Sequence, residues 1–293
     1  MKKATTIEEQ IEKLQKRGII LDLGLEKSKE ILSDIGYFRF GYYCFPFEVD
    51  YPNKVNRTHS YKKETTISEI KKLYYFNLDL TNILLKYISR IEINLRTTII
   101  YEVSNYYQDS PAWFADKDVM DKTFISGLNV EYAKLEQRHK VLGEHHKKYK
   151  KDEFAPAWKT IEYFSFGALN NLYRHLKNAH LKSCIACRYG IKSYNVFSNY
   201  LTIIVTLRNM CAHSNVLFDE FLPIGVKNGP AVFVNLNNNY KLYSYIKVVE
   251  FILRKISKNR SDEMMDIIHE LFEDHNRYST INNIISNNIG YSL

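Results

Sequence analysis

From Ile67 to about Tyr106 the sequence repeats apolar residues at helical spacing, with Leu84, Ile88, Ile91, Leu95 and Ile99 on one side. Such a run predicts a long helix with a buried stripe, which other elements must cover. The rest of the chain offers helices for that purpose. Only 11 glycines and 6 prolines occur in 293 residues, too few for the many turns of an all-β fold. Thr6, with Glu9 three residues on, forms a capping box that opens a helix through Ile7, Ile11 and Leu14. Gly18 suits the end of that helix. A second helix is expected from roughly Leu25 to Ile35.

The next segment, "IGYFRFGYYCFPF", is densely aromatic, and Pro46 argues against a continuing helix. It reads as a core plug, with a stacking surface for RNA bases as the alternative. Residues 48–64 and 107–122 read as loops, the second carrying Pro111 and Trp113. A charged helix is expected from Phe124 to His146, and another from Pro156 through "PAWKTIEYFSFGALNNLYRHL". A greasy helix follows at 191–213. Then "GVKNGPAVFVNLNNNYKLYSY" reads as a small β-hairpin, and two helices, about 243–257 and 261–272, close the chain. The expected class is mainly α. Residues 1–66 form an N-terminal helical and aromatic extension, and residues 67–293 a helical domain with the hairpin inserted, the two packing as one unit.

Composition removes several functional classes. Four cysteines (Cys44, Cys184, Cys187, Cys211) make no disulfide framework in a chain of this length. No apolar run is long enough to cross a bilayer, and no signal-type core follows the N-terminus, so the cytoplasm is the expected location. The net charge of +8 favours polyanionic partners. Part of that bias matches the Lys, Asn, Ile and Tyr richness of an AT-rich genome. There is no Gly-rich phosphate loop and no nucleophile elbow. Cys184 and Cys187, with His180 nearby, lack the second ligand pair of a structural zinc site and read as packing residues. His139, His145 and His146 precede Lys147, Lys148, Lys150 and Lys151, which read as a solvated basic helix end able to touch phosphate.

"LTIIVTLRNMCAHSNVLF", residues 201–218, changes character halfway. An apolar helix ends in Arg208, Asn209 and His213, polar groups that are costly to bury unpartnered. Residues five apart on a helix differ by about 7.5 Å in rise and about 140° in direction, a gap the Arg stem can bridge. Guanidinium binds phosphate as a fork, and imidazole moves protons near neutrality. The pair therefore suits a phosphodiester, although the R-x4-H spacing alone is weak evidence. Arg138 with His145, and Arg174 with His180, match a relaxed form of it by chance. Glu92 and Arg96, at i and i+4, are close enough to pair as a salt bridge.

The words "TIEEQIEKLQKRGIIL", "LSDIGYFRFGYYCFPF", "RIEINLRTTIIYEVSNYY", "PAWKTIEYFSFGALNNLY" and "LRNMCAHSNVLF" resemble, in order, those of the Abi family of phage abortive-infection proteins. Within that family the words resemble the AbiD/AbiF-like group. The resemblance runs from Thr6 to about Ile256, including "YKLYSYIKVVEFIL", and that family resembles a branch of the HEPN superfamily of helical ribonucleases. It implies a HEPN-like bundle, with Arg208, Asn209 and His213 as the catalytic set; Glu92, Arg96 and Glu162 recur in the family-like words as candidate supporting residues, Glu162 reading as structural. It further implies RNA cleavage to a 2′,3′-cyclic phosphate and a 5′-OH. A homodimer, and an RNA partner that is a substrate, an antitoxin or a guide, belong to the same implication. No carboxylate cluster with metal-ligand spacing accompanies Arg208 and His213, so no metal cofactor is expected. The family commonly has "HxxRLW" after the motif's His, whereas here "HSNVLF" puts Val216 for the Arg and Phe218 for the Trp. The alternative functional reading is a non-catalytic RNA-binding module that holds a guide or antitoxin RNA.

Overall fold

The structure, a computed structural model, describes residues 3–219, 222–232 and 239–291. Among them the chain is mainly helical, as expected. In order the helices are α1 (Ile7–Lys16), α2 (Leu25–Ile35), α3 (Tyr37–Cys44), α4 (Ile67–Tyr106), α5 (Lys122–Ser126), α6 (Leu128–Arg138) and α7 (Lys140–Lys148). Then come α8 (Ala157–Thr160), α9 (Phe166–His175), α10 (Ala179–Arg188), α11 (Tyr194–Ala212), α12 (Leu242–Ile256), α13 (Lys258–Asn276) and α14 (Ser279–Asn283).

The long helix forms for the reason its pattern gives. Ile67, Ile70, Leu73, Phe76, Leu80, Leu84, Ile88, Ile91, Leu95, Ile99 and Val103 are all buried. Their average spacing is about 3.6 residues, the repeat of a straight α-helix, so the buried residues form one stripe along the helix. At α1 the capping box closes both ways. Glu9 N–H donates to Thr6 Oγ1 at 3.2 Å, and Thr6 N–H donates to Glu9 Oε2 at 2.8 Å. Gly18 ends that helix with a φ of +105°, a backbone conformation that glycine adopts freely.

The chain divides into two compact units. The first comprises residues 1–83, 214–220 and 267–293. In it the aromatic segment forms α3 and a 3-10 turn over Phe45–Phe47, with Phe40, Tyr43, Phe45 and Phe47 buried, so the core-plug reading holds. Pro46 does not stop the chain from coiling; it sits at the start of the 3-10 turn, where a missing N–H is harmless. Residues 214–217 are tied down in the same unit. Arg39 Nη1 donates to the Ser214 carbonyl at 2.9 Å, Leu217 N–H donates to Asn77 Oδ1 at 2.8 Å, and Asn77 Nδ2 donates to the Asn215 carbonyl at 3.1 Å. Phe218 is buried edge-on against Tyr43, so it belongs to packing there.

The second unit comprises residues 84–213 and 221–266. In it α11 packs against α9, α10 and α12. Two expected helices are broken. The segment 124–146 forms α5, α6 and α7, because Gly127 and His139 interrupt it and His139 takes an extended backbone, stacking on Tyr163 at 3.9 Å. The segment after Pro156 gives α8, a 3-10 turn over Ile161–Tyr163, and then α9. Phe164 is extended between them, and Ser165 starts α9 by accepting from Ala168 N–H at 3.2 Å. Of the expected hairpin, residues 233–238 lie outside the described residues. The described part holds one bridge, Gly229 with Val232, and is helical from Leu242. At the chain's end α13 runs further than expected, and α14 and a π-helical turn over Ile284–Ile289 follow it. No helix among the described residues is long and apolar enough to cross a membrane.

Candidate functional site

Arg208, Asn209 and His213 gather at the C-terminal end of α11. Leu201, Ile203, Ile204 and Leu207 are fully buried and fix the helix in the second unit. The helix stops at His213, whose N–H donates to the Asn209 carbonyl at 3.0 Å, and Ser214 beyond it has a φ of +53°. A left-handed residue cannot continue a right-handed helix. Arg208 therefore lies just before the last turn of α11.

Arg208 is held from two sides. Its Nη1 donates to Asn209 Oδ1 at 3.0 Å, and its Nη2 meets Glu92 Oε2 of α4 at 3.4 Å. The second oxygen of Glu92 accepts from Arg96 Nη2 at 3.1 Å, and the same Arg96 nitrogen donates to the Phe164 carbonyl at 2.9 Å. Phe166 lies beneath Arg208, its ring centroid 6.0 Å from the guanidinium carbon, at the outer limit of a cation–π contact. The broken segment before α9 thus presents a free carbonyl to Arg96 and a ring to Arg208. The Arg208 side chain keeps 27% of its surface exposed, against 19% for Glu92 and 11% for Arg96. Its remaining N–H donors have no hydrogen-bond partner among the described residues.

His213 is exposed, and no hydrogen bond or ion pair holds its imidazole among the described residues. Cys211, between the two, is buried, which pushes its thiol up to about 12. It stays protonated at neutral pH and offers no thiolate nucleophile.

The other candidates separate. Glu92 and Arg96 join Arg208. Glu162 is exposed on its 3-10 turn, with no polar partner among the described residues. Lys147, Lys148, Lys150 and Lys151 are all exposed, at the end of α7 and just beyond it, and no hydrogen bond or ion pair links them to Arg208. The neighbouring histidines serve packing: His145 binds Asp152 at 3.0 Å and His146 binds Tyr132 at 2.7 Å. His180 meets Cys184 at 3.5 Å, and the four cysteines are free. Among the described residues no group of three or more His, Cys, Asp or Glu side chains is placed to hold a metal ion. Sequence reasoning missed Phe164 and Phe166 as parts of this site. The only signal for them was an aromatic pair flanking Ser165, a residue able to cap a helix.

The family model for Abi-like proteins matches residues 30–219. The chain belongs to the Abi-like family. The match covers about two thirds of it and includes Glu92, Arg96, Glu162, Arg208, Asn209 and His213. In this Abi-like protein the similar words before residue 30 and after 219 lie outside the matched span. No curated protein and no solved structure matches the chain. Membership of this family points to abortive infection, a form of phage defence.

Proposed function

We propose that this Abi-like protein is a HEPN-type endoribonuclease of the AbiD/AbiF-like group, which arrests growth on phage infection by cutting RNA. One observation carries the reading: a guanidinium anchored by Glu92 and Asn209 lies on the same helix end as an exposed, unengaged imidazole. In the proposed reaction the ribose 2′-OH attacks its own phosphate and gives up its proton, and the P–O5′ bond breaks. The products are a 2′,3′-cyclic phosphate and a 5′-OH. His213 takes the 2′-OH proton or supplies one to the departing O5′. Arg208 binds the charge that builds on the phosphorane oxygens. Asn209, bonded to Arg208, positions that guanidinium rather than the imidazole.

The nucleophile comes from the substrate and the guanidinium meets the phosphate charge. Cleavage should therefore persist in EDTA, and a 2′-deoxy substituent at the cut position should block it. A single Arg and His make a thin site, so a second copy of the chain supplies the other set in a homodimer. The exposed Lys147, Lys148, Lys150 and Lys151 bind the RNA backbone, whether the RNA is a substrate, an antitoxin or a guide.

Expression of wild type beside His213→Ala, scored for growth arrest and RNA integrity, tests the reading. Arrest with cut RNA in the wild type, and neither in a folded His213→Ala protein, supports it. Retained toxicity in that variant overturns it. If the folded wild type binds RNA but never cuts it, the chain is instead a module that holds RNA.

A further inference from the structure

The tripeptide Phe164–Ser165–Phe166 has different chemistry on its two sides. Arg208 stands over Phe166, and the Phe164 carbonyl is tied through Arg96 and Glu92 to the same guanidinium. Phe164 and Ser165 also line a cleft of about 390 Å³, bounded further by Phe124, Arg138, Tyr163, Asn171 and Glu131, whose carboxylate is engaged by Lys134 at 2.7 Å. The cleft and the candidate catalytic Arg208 are thus neighbours across one short stretch of backbone, all within the second unit.

The lining suits a nucleobase. Phe124 and Tyr163 supply flat apolar surface, and stacking on His139 fixes the Tyr163 ring. Asn171 and Arg138 are exposed, and neither has a hydrogen bond or ion pair among the described residues. A side-chain amide presents donors and an acceptor together, the pattern that pairs with the edge of a base. A free guanidinium beside it matches a backbone phosphate. Apolar walls with a few convergent polar groups are the usual form of a small-ligand site, and splayed single-stranded bases bind to aromatic surfaces in this way.

We propose that this cleft is a base-reading subsite, which takes the nucleobase next to the scissile phosphate, with Asn171 on the base edge and Arg138 on the adjoining phosphate. It rests on the ribonuclease reading and makes the enzyme selective for sequence at the cut.

The test maps cut sites on a mixed-sequence RNA for wild type, Asn171→Ala and Arg138→Ala. In parallel, binding of the four nucleoside 5′-monophosphates to the same uncut proteins is measured by calorimetry. The wild type should prefer one base beside the cut, and Asn171→Ala should change the ratio between preferred and disfavoured sites about 5- to 150-fold, the range of a lost bidentate base contact. Arg138→Ala should weaken all four monophosphates alike. Wild-type cleavage whose pattern neither variant alters, with unchanged monophosphate affinities, overturns the subsite and leaves the ribonuclease standing. A wild type that cuts no RNA overturns the ribonuclease reading. In that case monophosphate binding abolished by Asn171→Ala would still establish the cleft as a nucleotide site.

Discussion

Each unit contains a glutamate shared between two bases, and the two clusters are built to different tightness. In the first unit Glu48, with 1% of its side chain exposed, accepts from Arg57 Nε at 2.8 Å and Nη2 at 2.6 Å, and from His59 Nδ1 at 3.1 Å. Both oxygens are engaged by one guanidinium in a fork, and Arg57 also packs 4.2 Å from the centre of the Phe45 ring. In the second unit Glu92 gives one oxygen to each of two arginines, and Arg208 is the looser at 3.4 Å. A guanidinium forked onto one buried carboxylate is committed to that carboxylate and holds the fold together. An arginine held by one contact to Glu92 and one to a neighbouring amide keeps donors for something else. What differs is where the bonds go: Arg57 spends both of its bonds on one buried carboxylate, whereas Arg208 divides its two between Glu92 and Asn209.

Truncating the cation in each cluster should give the largest and most opposed effects. Arg208→Ala is expected to lower RNA cleavage by about 10²–10³-fold, the usual loss for one donor to a developing oxyanion, with a small change in stability. Arg57→Ala strands a buried carboxylate and should destabilise the fold by about 3 kcal/mol, with the folded protein still cutting RNA at the wild-type rate. Urea unfolding and cleavage assays on both variants decide this. If Arg208→Ala unfolds the protein and Arg57→Ala silences a folded one, the comparison is reversed.

Next in size is the loosened glutamate. Glu92→Gln keeps the shape but removes the charge between Arg96 and Arg208. Charge-assisted hydrogen bonds contribute about 1.5–3 kcal/mol, and Arg96 keeps the Phe164 carbonyl, so a loss of about 2 kcal/mol is expected. Cleavage should fall as well, because Arg208 then wanders. Faster cleavage in Glu92→Gln would mean that the carboxylate competes with phosphate for Arg208 instead of positioning it.

How much of this was legible depended on the range of the interaction. The α1 capping box, α2, α4 and the Glu92–Arg96 pair all rest on residues within four positions of each other, and each appeared where the sequence placed it. The break at Phe164 was not legible. Ser165 offered a possible cap, but the reward for breaking is an Arg96 bond to a carbonyl 68 residues away. Arg208 shows the same limit. Its spacing from His213 was visible, and the family resemblance put Glu92 among the supporting residues, but nothing local showed that Glu92, 116 residues distant, bonds Arg208 itself. The basic run at Lys147–Lys151 was read correctly as solvated, and nothing in its spacing could say whether it lies near Arg208.

The smallest expected effect is on the acid limb, and it sharpens the contrast from the Glu48 side. Burial works to raise the Glu48 carboxyl, but the hydrogen bonds from Arg57 and His59 outweigh it and hold the group below the ordinary glutamate value of 4.5. A group depressed in the folded state contributes stability that is fully present above its unfolded value and is lost as pH falls through the folded one. Wild type should therefore exceed Glu48→Gln in stability by a constant margin at pH 5 and above. Below pH 4.5 the margin should shrink, because a protonated Glu48 and the variant's amide become near-isosteres facing the same Arg57. Asp50, depressed by its hydrogen bonds to Thr58, adds to the acid sensitivity of both proteins alike and cancels in the difference. The measurement is the gap in urea midpoint between the two proteins from pH 6 to pH 3. A gap that widens toward acid, or stays flat throughout, would show that the closed cluster does not hold a charged Glu48.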